Sequence, residues 1–583
     1  AIRLSLVGSE MCIRDRKKGK TVHFGSLMDL CHEKNSELMR PEAEKVYKGR
    51  VVFRGDIVRD EAGFFAVFSE QGTSASHQAA AKFLDAIARV PGNDGQDSDA
   101  IGAYTQVKLK EMQKLMGVKQ DEIVETWITL PPSQRPKEFA NFKEPVVELL
   151  RNLYGHPLAG LYWEKFCEHH VLEAGFEKVR GWECLYRHRQ MKLYLSIYVD
   201  DFKMAGKKEN LPKMWEILGK TLDLEPPVPM QGNVYLGCQQ KDFTPTPAEV
   251  QEKGKMFEHL LGARRIDSDD KVKEDDARGN TTEGNASTRG VPSNVSEGAT
   301  PRATENPNLN PEIKGWYYSM SGHAEQCVER YLELSGKDIS SLKDVATPCL
   351  DDHLLPPEDF ETKGALSPIA ARIVLKALYM ARFSRPELLW TVNMLAREVT
   401  KWNVACDKRL HRLIAYIHHN THVILKCWVG NEMKDCKIAL YTDASFADSL
   451  RDSKSTTGAF LCLVGSHTFV PIIWLCKKQG AVSHSSSESE IIALDASVRM
   501  EGIPSLTLLD NILETFHPTS PFKDAKEATP FRQRKLEDPV LEFLSRIDYV
   551  PYTAPPISNG LGKLVVLEDN DAVINVCSNP NIA

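Results

Sequence analysis

Residues 192–206 read KLYLSIYVDDFKMAG. Leu193, Leu195, Ile197 and Val199 recur at every second position, run into Asp200 and Asp201, and the stretch leaves through Phe202. That period of two predicts a β-hairpin with two acids at its tip. Adjacent carboxylates repel, so a site that keeps both needs a reason. One reason is a pair of divalent cations, which neutralise the acids and clamp the attacking and leaving oxygens of a phosphoryl transfer. A lone Asp-Asp dipeptide is more often a solvated turn, and the reading therefore depends on what accompanies it.

A second set of acids lies far downstream. Residues 441–445 (YTDAS) place Asp443 at the end of a strand, residues 485–494 (SSSESEIIAL) begin a helix carrying Glu488 and Glu490, and EDND at 568–571 puts Asp569 after the apolar strand 564–567. A strand-end Asp, a helix-start Glu and a second strand-end Asp can surround two metals. Two residues apart on a helix, Glu488 and Glu490 cannot face the same point. The spacing alone leaves the choice between them open.

Tyr198 to Asp201 (YVDD) resembles the reverse transcriptase motif, and its flanks resemble the polymerase of copia-type LTR retrotransposons. Further segments fall in that family's order. KGRVVFRG at 48–55 is similar to the fingers segment, which implies that Arg50 meets the nucleotide triphosphate. DAIGAY at 99–104 is similar to the next motif, implying that Asp99 binds metal and that Tyr104 packs under the sugar and excludes a 2′-hydroxyl by clash. LYGHPLAGLYW at 153–163 matches at Tyr154, Gly155, Ala159 and Trp163, with Gly155 grouped among the substrate-binding residues, but Leu158 stands where the family has glutamine. YLG at 235–237 matches the later segment. The resemblance covers roughly residues 26–245 and resumes further on, where SRPE at 384–387 is similar to the family's T-R-P-D. The family's ribonuclease H segments then imply Asp443, Glu490 and Asp569 as the catalytic acids, with Glu490 preferred because the family's acid directly precedes the apolar residues matched by Ile491, Ile492 and Ala493.

The resemblance implies an α+β chain: a right-hand polymerase of palm, fingers and thumb, followed by an α/β ribonuclease H-like domain. The expected divisions are a non-native leader at 1–19, reverse transcriptase at 20–262, a disordered linker at 263–312, thumb and connection at 313–434, and a ribonuclease H-like unit at 435–583, cut short at its C-terminal end. The leader is set aside because residues 4–16 (LSLVGSEMCIRDR) resemble adapter-derived sequence in translated transcripts. The linker is expected because residues 264–312 contain no aromatic side chain and are dominated by Asp, Glu, Asn, Thr, Ser, Gly and Pro. A second polar stretch, 517–538, is expected to loop out between Glu490 and Asp569. Strands are expected as a pair over 46–58 and at 437–441 and 458–464, and helices over 77–88, 145–172 with a break near 155–160, 368–402, 407–420 and 488–500.

Composition bounds the partners. At 583 residues, 42% hydrophobic and 26% charged, the chain is of ordinary globular type and too long for one core. With 73 basic against 80 acidic residues the net charge is -7, so contact with nucleic acid must be local. A basic track of Lys48, Arg50, Arg54, Lys108, Lys110, Lys203, Lys207 and Lys208 around the polymerase motifs is expected to supply it. Thirteen cysteines without C-x-x-C pairs read as reduced thiols and favour an intracellular site, in cytoplasm, particle or nucleus. No stretch reads as a spanning helix. The sequons at Asn280, Asn285 and Asn294 are read as chance, and His411, His418, His419 and His422 near Cys406 lack zinc-site spacing. Ser483, His484 and Ser485 are not expected to form a nucleophile and base, and the glycines of 91–96 are not a phosphate loop.

The expected activity is primer extension on an RNA or DNA template with dNTPs, together with cleavage of RNA in an RNA–DNA hybrid. Two Mg²⁺ per site, with Mn²⁺ as a substitute, would be held by Asp99, Asp200 and Asp201 and by Asp443, Glu490 and Asp569. Self-association or particle assembly is a further expectation. The competing expectation is a decayed or co-opted remnant that binds nucleic acid without chemistry.

Overall fold

The computed structural model describes residues 3–4, 21–34, 41–68, 76–132, 135–139, 142, 145–262, 312–448, 452–518 and 560–578. The expected leader apart from Arg3–Leu4, the linker between 263 and 311 with its sequons, and the polar stretch from 519 onward lie outside the described residues. The fold is α+β, built on three sheets.

The five-stranded sheet has the order Arg3–Leu4, Val146–Glu148, Glu125–Thr129, Val22–Lys34, Val46–Phe53. Two expectations are corrected here. Residues 46–58 contain one strand and a 3₁₀ turn, Gly55–Ile57, and the strand's partner is the upstream Val22–Lys34. Over 145–172 only Ala159–Glu173 is helical, while Val146–Glu148 is a fully buried strand whose few residues carry no visible period.

The six-stranded sheet is antiparallel throughout, in the order Val228–Pro229, Asn93–Asp99, Asp201–Lys207, Leu193–Tyr198, Leu185–His188, Glu177–Lys178. Its second strand, NDGQDSD, has no apolar side chain at all. Several of its polar groups find partners inside the fold: Asn93 donates to the Ile87 carbonyl (3.1 Å), the Ser98 hydroxyl to the Glu225 carbonyl (2.7 Å), and Asn233 to Asp97 (2.9 Å). Gly95 belongs there for space, since a Cβ would lie 2.4 Å from the Met230 sulfur and 2.7 Å from the Ala88 Cβ.

The eight-stranded sheet runs Val234–Tyr235, Cys238–Phe243, Lys314–Ser319, Leu425–Val429, Thr468–Lys478, Thr456–Gly465, Lys437–Ser445, Leu564–Leu567. Only its last pair is parallel. The sheet crosses the expected divisions at 262/263, 312/313 and 434/435, with Gln239 opposite Ser319 and Trp428 opposite Phe469.

The helix Gln78–Arg89 packs on both the six-stranded and the eight-stranded sheets. Its spacing was legible, and His77 caps it by accepting the Ala79 N–H. Ala79, Ala80, Ala81, Ala86 and Ala88 let it approach closely, and each of the larger buried side chains, Phe83, Leu84 and Ile87, contributes roughly 1.5–3 kcal/mol by leaving water. Helices Ala370–Phe383, Leu389–Arg397 and Val404–His419 divide the expected helical stretches 368–402 and 407–420. The strands expected at 437–441 and 458–464 are present as Lys437–Ser445 and Thr456–Gly465. The last expected helix is Ser486–Ser497, continued by one π turn, Val498–Gly502.

Candidate active site

Leu193–Tyr198 and Asp201–Lys207 form the expected hairpin, with Tyr198 opposite Asp201. Val199 and Asp200 are therefore the turn. Val199 sits at φ +58°, a left-handed value that is costly for a β-branched residue. Trp163 holds it there: the indole Nε1–H donates to the Val199 carbonyl at 2.6 Å. The neighbouring strand brings Asp99 directly opposite Asp201, and the Ala100 N–H donates to the Asp200 carbonyl at 2.8 Å. Burial first, then the charges of Asp200 and Asp99, push the Asp201 carboxyl far above the usual range. Paired acids in this state have a high demand for a cation.

Asp200 is electrostatically coupled to a second group of residues. The Tyr104 and Tyr154 rings lie 4.5 Å apart, and the Arg50 guanidinium sits 4.8 Å above Tyr154. Burial, and after it the Asp200 charge, raises both tyrosine hydroxyls. Arg50, Tyr154 and Tyr104 thus form one stack, and its tyrosines feel the Asp200 charge. Gly155 reaches it through its backbone. At φ +86°, its Cβ position would lie 2.1 Å from the Phe53 carbonyl oxygen, so only glycine lets this loop close on the strand of Arg50 and hold Tyr154 beneath the guanidinium. Leu158 packs against the apolar cluster under the hairpin and offers no side-chain polar group.

The downstream acids converge more tightly. Carboxylate oxygens of Asp443, Glu490 and Asp569 all lie within 4.8 Å of one another. Glu490 is buried, and its Oε2 has no hydrogen-bond partner. Three carboxylates this close, one of them buried with a partnerless oxygen, are a donor set that fits a hard divalent cation. Burial first, then Glu568, Asp443 and Asp569, raise Glu490 to about 7. Glu488 is spent on the helix start: its Oε2 accepts the His484 N–H (2.6 Å) while its own N–H donates to Ser485 Oγ (3.1 Å). The sequence reading missed Glu568, which accepts from the Thr442 hydroxyl at 2.7 Å and adds a fourth acid beside the cluster.

Asp99, Asp200 and Asp201 do not gather as closely. Among the described residues, the other group of three metal-ligating side chains that does is His169, His170 and Glu173, on the surface of helix Ala159–Glu173. Of the discounted histidines, His411 contacts the Tyr331 hydroxyl (2.8 Å) and the Ser341 carbonyl (3.2 Å), and His419 the Leu342 carbonyl (2.9 Å). The Ser483 hydroxyl donates to Gln479 at 3.2 Å, and His484 is exposed.

One member of the basic track needs correction. Lys203 is fully buried, 2.8 Å from Asp85 and 3.2 Å from Asp97. Lys108 pairs with Glu111, Lys110 with Glu125 and Glu148, and Arg54 with Asp56. Strand Asp201–Lys207 is buried on both faces, so this lysine lies inside the fold against the acids of the neighbouring helix and strand.

The twelve cysteines among the described residues are free thiols, and no described helix is long and apolar enough to cross a membrane.

No protein-family model matches the chain. Over 80 residues it is similar to transposon Gag-Pol polyproteins of Saccharomyces cerevisiae. The Ty1-DR4 polyprotein is 29% identical over 14% of this chain and 5% of its own length. The Ty1-DR6 and TyH3 polyproteins are likewise 29% identical over 14% of this chain, and the match spans 4% of each. The chain thus covers a small part of these relatives.

Proposed function

We propose that this chain is a retrotransposon-derived, copia-type reverse transcriptase with an appended ribonuclease H. One observation carries the reading: Asp99 and Asp201, from separate motifs, stand directly opposite each other at the tip of the YVDD hairpin. Asp99, Asp200 and Asp201 would hold Mg²⁺ beside the primer terminus, and Asp443, Glu490 and Asp569 would hold it beside the RNA strand of a hybrid. Bound there, Mg²⁺ supplies charge neutralisation and a lowered pKa for the attacking hydroxyl or water. The residues of the chain supply the rest. Arg50, fixed over Tyr154, offers a cation to the triphosphate, and Tyr104 fills the space that a 2′-hydroxyl needs. Trp163 keeps the acid-bearing turn in its strained shape.

The second reading is cleavage or nucleic-acid binding without synthesis. The tight convergence of the downstream acids, against the looser upstream set and the apolar Leu158, favours it. Separate assays on the full chain distinguish the two: Mg²⁺-dependent extension of a primed template, and Mg²⁺-dependent cleavage of a labelled RNA–DNA hybrid. Both activities support the proposal, cleavage alone supports a ribonuclease, and hybrid binding with neither supports a remnant.

A further inference from the structure

Beside Asp443 lies a groove of about 330 Å³, at the lower end of the range for ligand pockets, roughly 300–1,000 Å³. Its floor is a row of rings from three adjacent strands. Tyr441 stands opposite Phe460, and Phe460 opposite Trp474, so all three point to one face of the eight-stranded sheet. The Phe460 and Trp474 rings are stacked, 5.8 Å apart and 15° from parallel; Trp474 is itself buried, with the Lys82 ammonium 4.0 Å from its ring centroid, so it backs the floor while the half-buried Tyr441 and Phe460 face the groove. Asp443 is two residues beyond Tyr441 on the same strand and lines the same groove. The wall comes from helix Leu389–Arg397, which presents Leu389 and Trp390. That helix is pinned to the sheet by Asn393, whose Nδ2 donates to the Cys476 carbonyl at 2.8 Å, and the Trp390 indole donates to Asp448 at 3.4 Å.

An aromatic floor and wall that end at a metal-ligating carboxylate make a two-part surface. The rings suit the flat face of a base, and the acid, once it holds a cation, suits a phosphate. A purely apolar ligand would leave the Asp443 end unused, and a free phosphate would leave the rings unused. We propose that this groove is a nucleotide subsite: one nucleotide of the hybrid lays its base against Trp390 and the Tyr441–Phe460 floor, which Trp474 backs, with its backbone turned toward Asp443. Helix Leu389–Arg397, outside the region assigned to the ribonuclease, would then position the ribonuclease substrate. The inference rests on the reading of Asp443, Glu490 and Asp569 as ribonuclease acids.

The test uses the full chain with Ca²⁺ in place of Mg²⁺ to prevent turnover. Two RNA–DNA hybrids carry 2-aminopurine, one in the RNA strand and one in the DNA strand, and quenching on binding reports which strand supplies the base. The wild type is expected to quench one probe. Trp390→Ala should weaken hybrid binding about tenfold and abolish that quenching. With Mg²⁺ it should raise KM for cleavage at nearly constant kcat, and Trp390→Phe should restore most of both. Binding and quenching by Trp390→Ala equal to wild type would overturn the subsite, as would a loss that Trp390→Phe fails to restore. Asp443→Asn separates the two claims: cleavage that persists in Asp443→Asn overturns the assignment of the acids, whereas the Ca²⁺ binding data judge the groove alone.

Discussion

Lys203 and Asp85 form a buried ion pair, 2.8 Å between Nζ and Oδ1, that ties the acid-bearing hairpin to the helix between two sheets. Asp85 also accepts from the Tyr318 hydroxyl (2.6 Å) and from Gln240 Nε2 (3.0 Å), both on the eight-stranded sheet. Removing one partner of such a pair strands the other in the interior. Lys203→Met should therefore destabilise the fold by about 3–5 kcal/mol in urea unfolding. Adding Asp85→Asn should recover part of that loss, because the remaining amide is neutral. A cost below about 1 kcal/mol for the single change would show that the pair does not join the sheets.

Trp163→Phe keeps an aromatic ring, though a smaller one, and removes the bond to Val199. With that bond gone the turn at φ +58° is held by the strand pairing and the Ala100 N–H alone, the acids are less well positioned, and primer extension should fall about tenfold. Hybrid cleavage by the same protein should be unchanged, since its acids lie elsewhere. Equal loss of both activities would point to general damage.

Glu490 and Glu488 make opposite predictions. Glu490→Gln should abolish hybrid cleavage with little change in Tm. Glu488→Ala should leave cleavage in place and cost about 0.5–2 kcal/mol, the loss of a helix cap. Because Glu490 is held near 7, a cation must displace a proton from it. Half-saturating Mg²⁺ for cleavage should accordingly fall as pH rises through 7. A concentration independent of pH between 6 and 8 would contradict this.

Glu501, in the π turn, is raised from 4.5 to about 7, chiefly by burial, with Arg382 opposing. The folded state thus holds a proton that the unfolded chain releases between about pH 4.5 and 7. Its contribution is complete below the unfolded value and is lost as pH rises through the folded one. Glu501→Gln should flatten the fall in stability across that window, and unchanged pH dependence in thermal melts would rule Glu501 out as its source.

What was legible followed from period and chemistry. The hairpin of 193–207 showed because its apolar residues alternate, and helix Gln78–Arg89 because its apolar residues recur at helical spacing. Strand Asn93–Asp99 was hidden, since none of its seven side chains is apolar and the partners that pay for their burial lie at Ile87, Lys203, Glu225 and Asn233. Lys203 was misread for the same reason: a lysine in a basic run reads as surface until Asp85, far away in the chain, is placed beside it. Glu490 could be preferred to Glu488 only through the family pattern, whereas the structure separates them by the cap. The convergence of Asp443 and Asp569 depended on a parallel strand pair, Lys437–Ser445 with Leu564–Leu567, that no local signal encodes.

The central claim is that the hairpin acids perform nucleotidyl transfer. Extension of oligo(dT) on poly(rA) by the full chain in Mg²⁺, compared with Asp201→Asn, tests it most directly. The account predicts extension by the wild type and a fall of at least about 10³-fold in the variant. Extension at an equal rate in Asp201→Asn would contradict it.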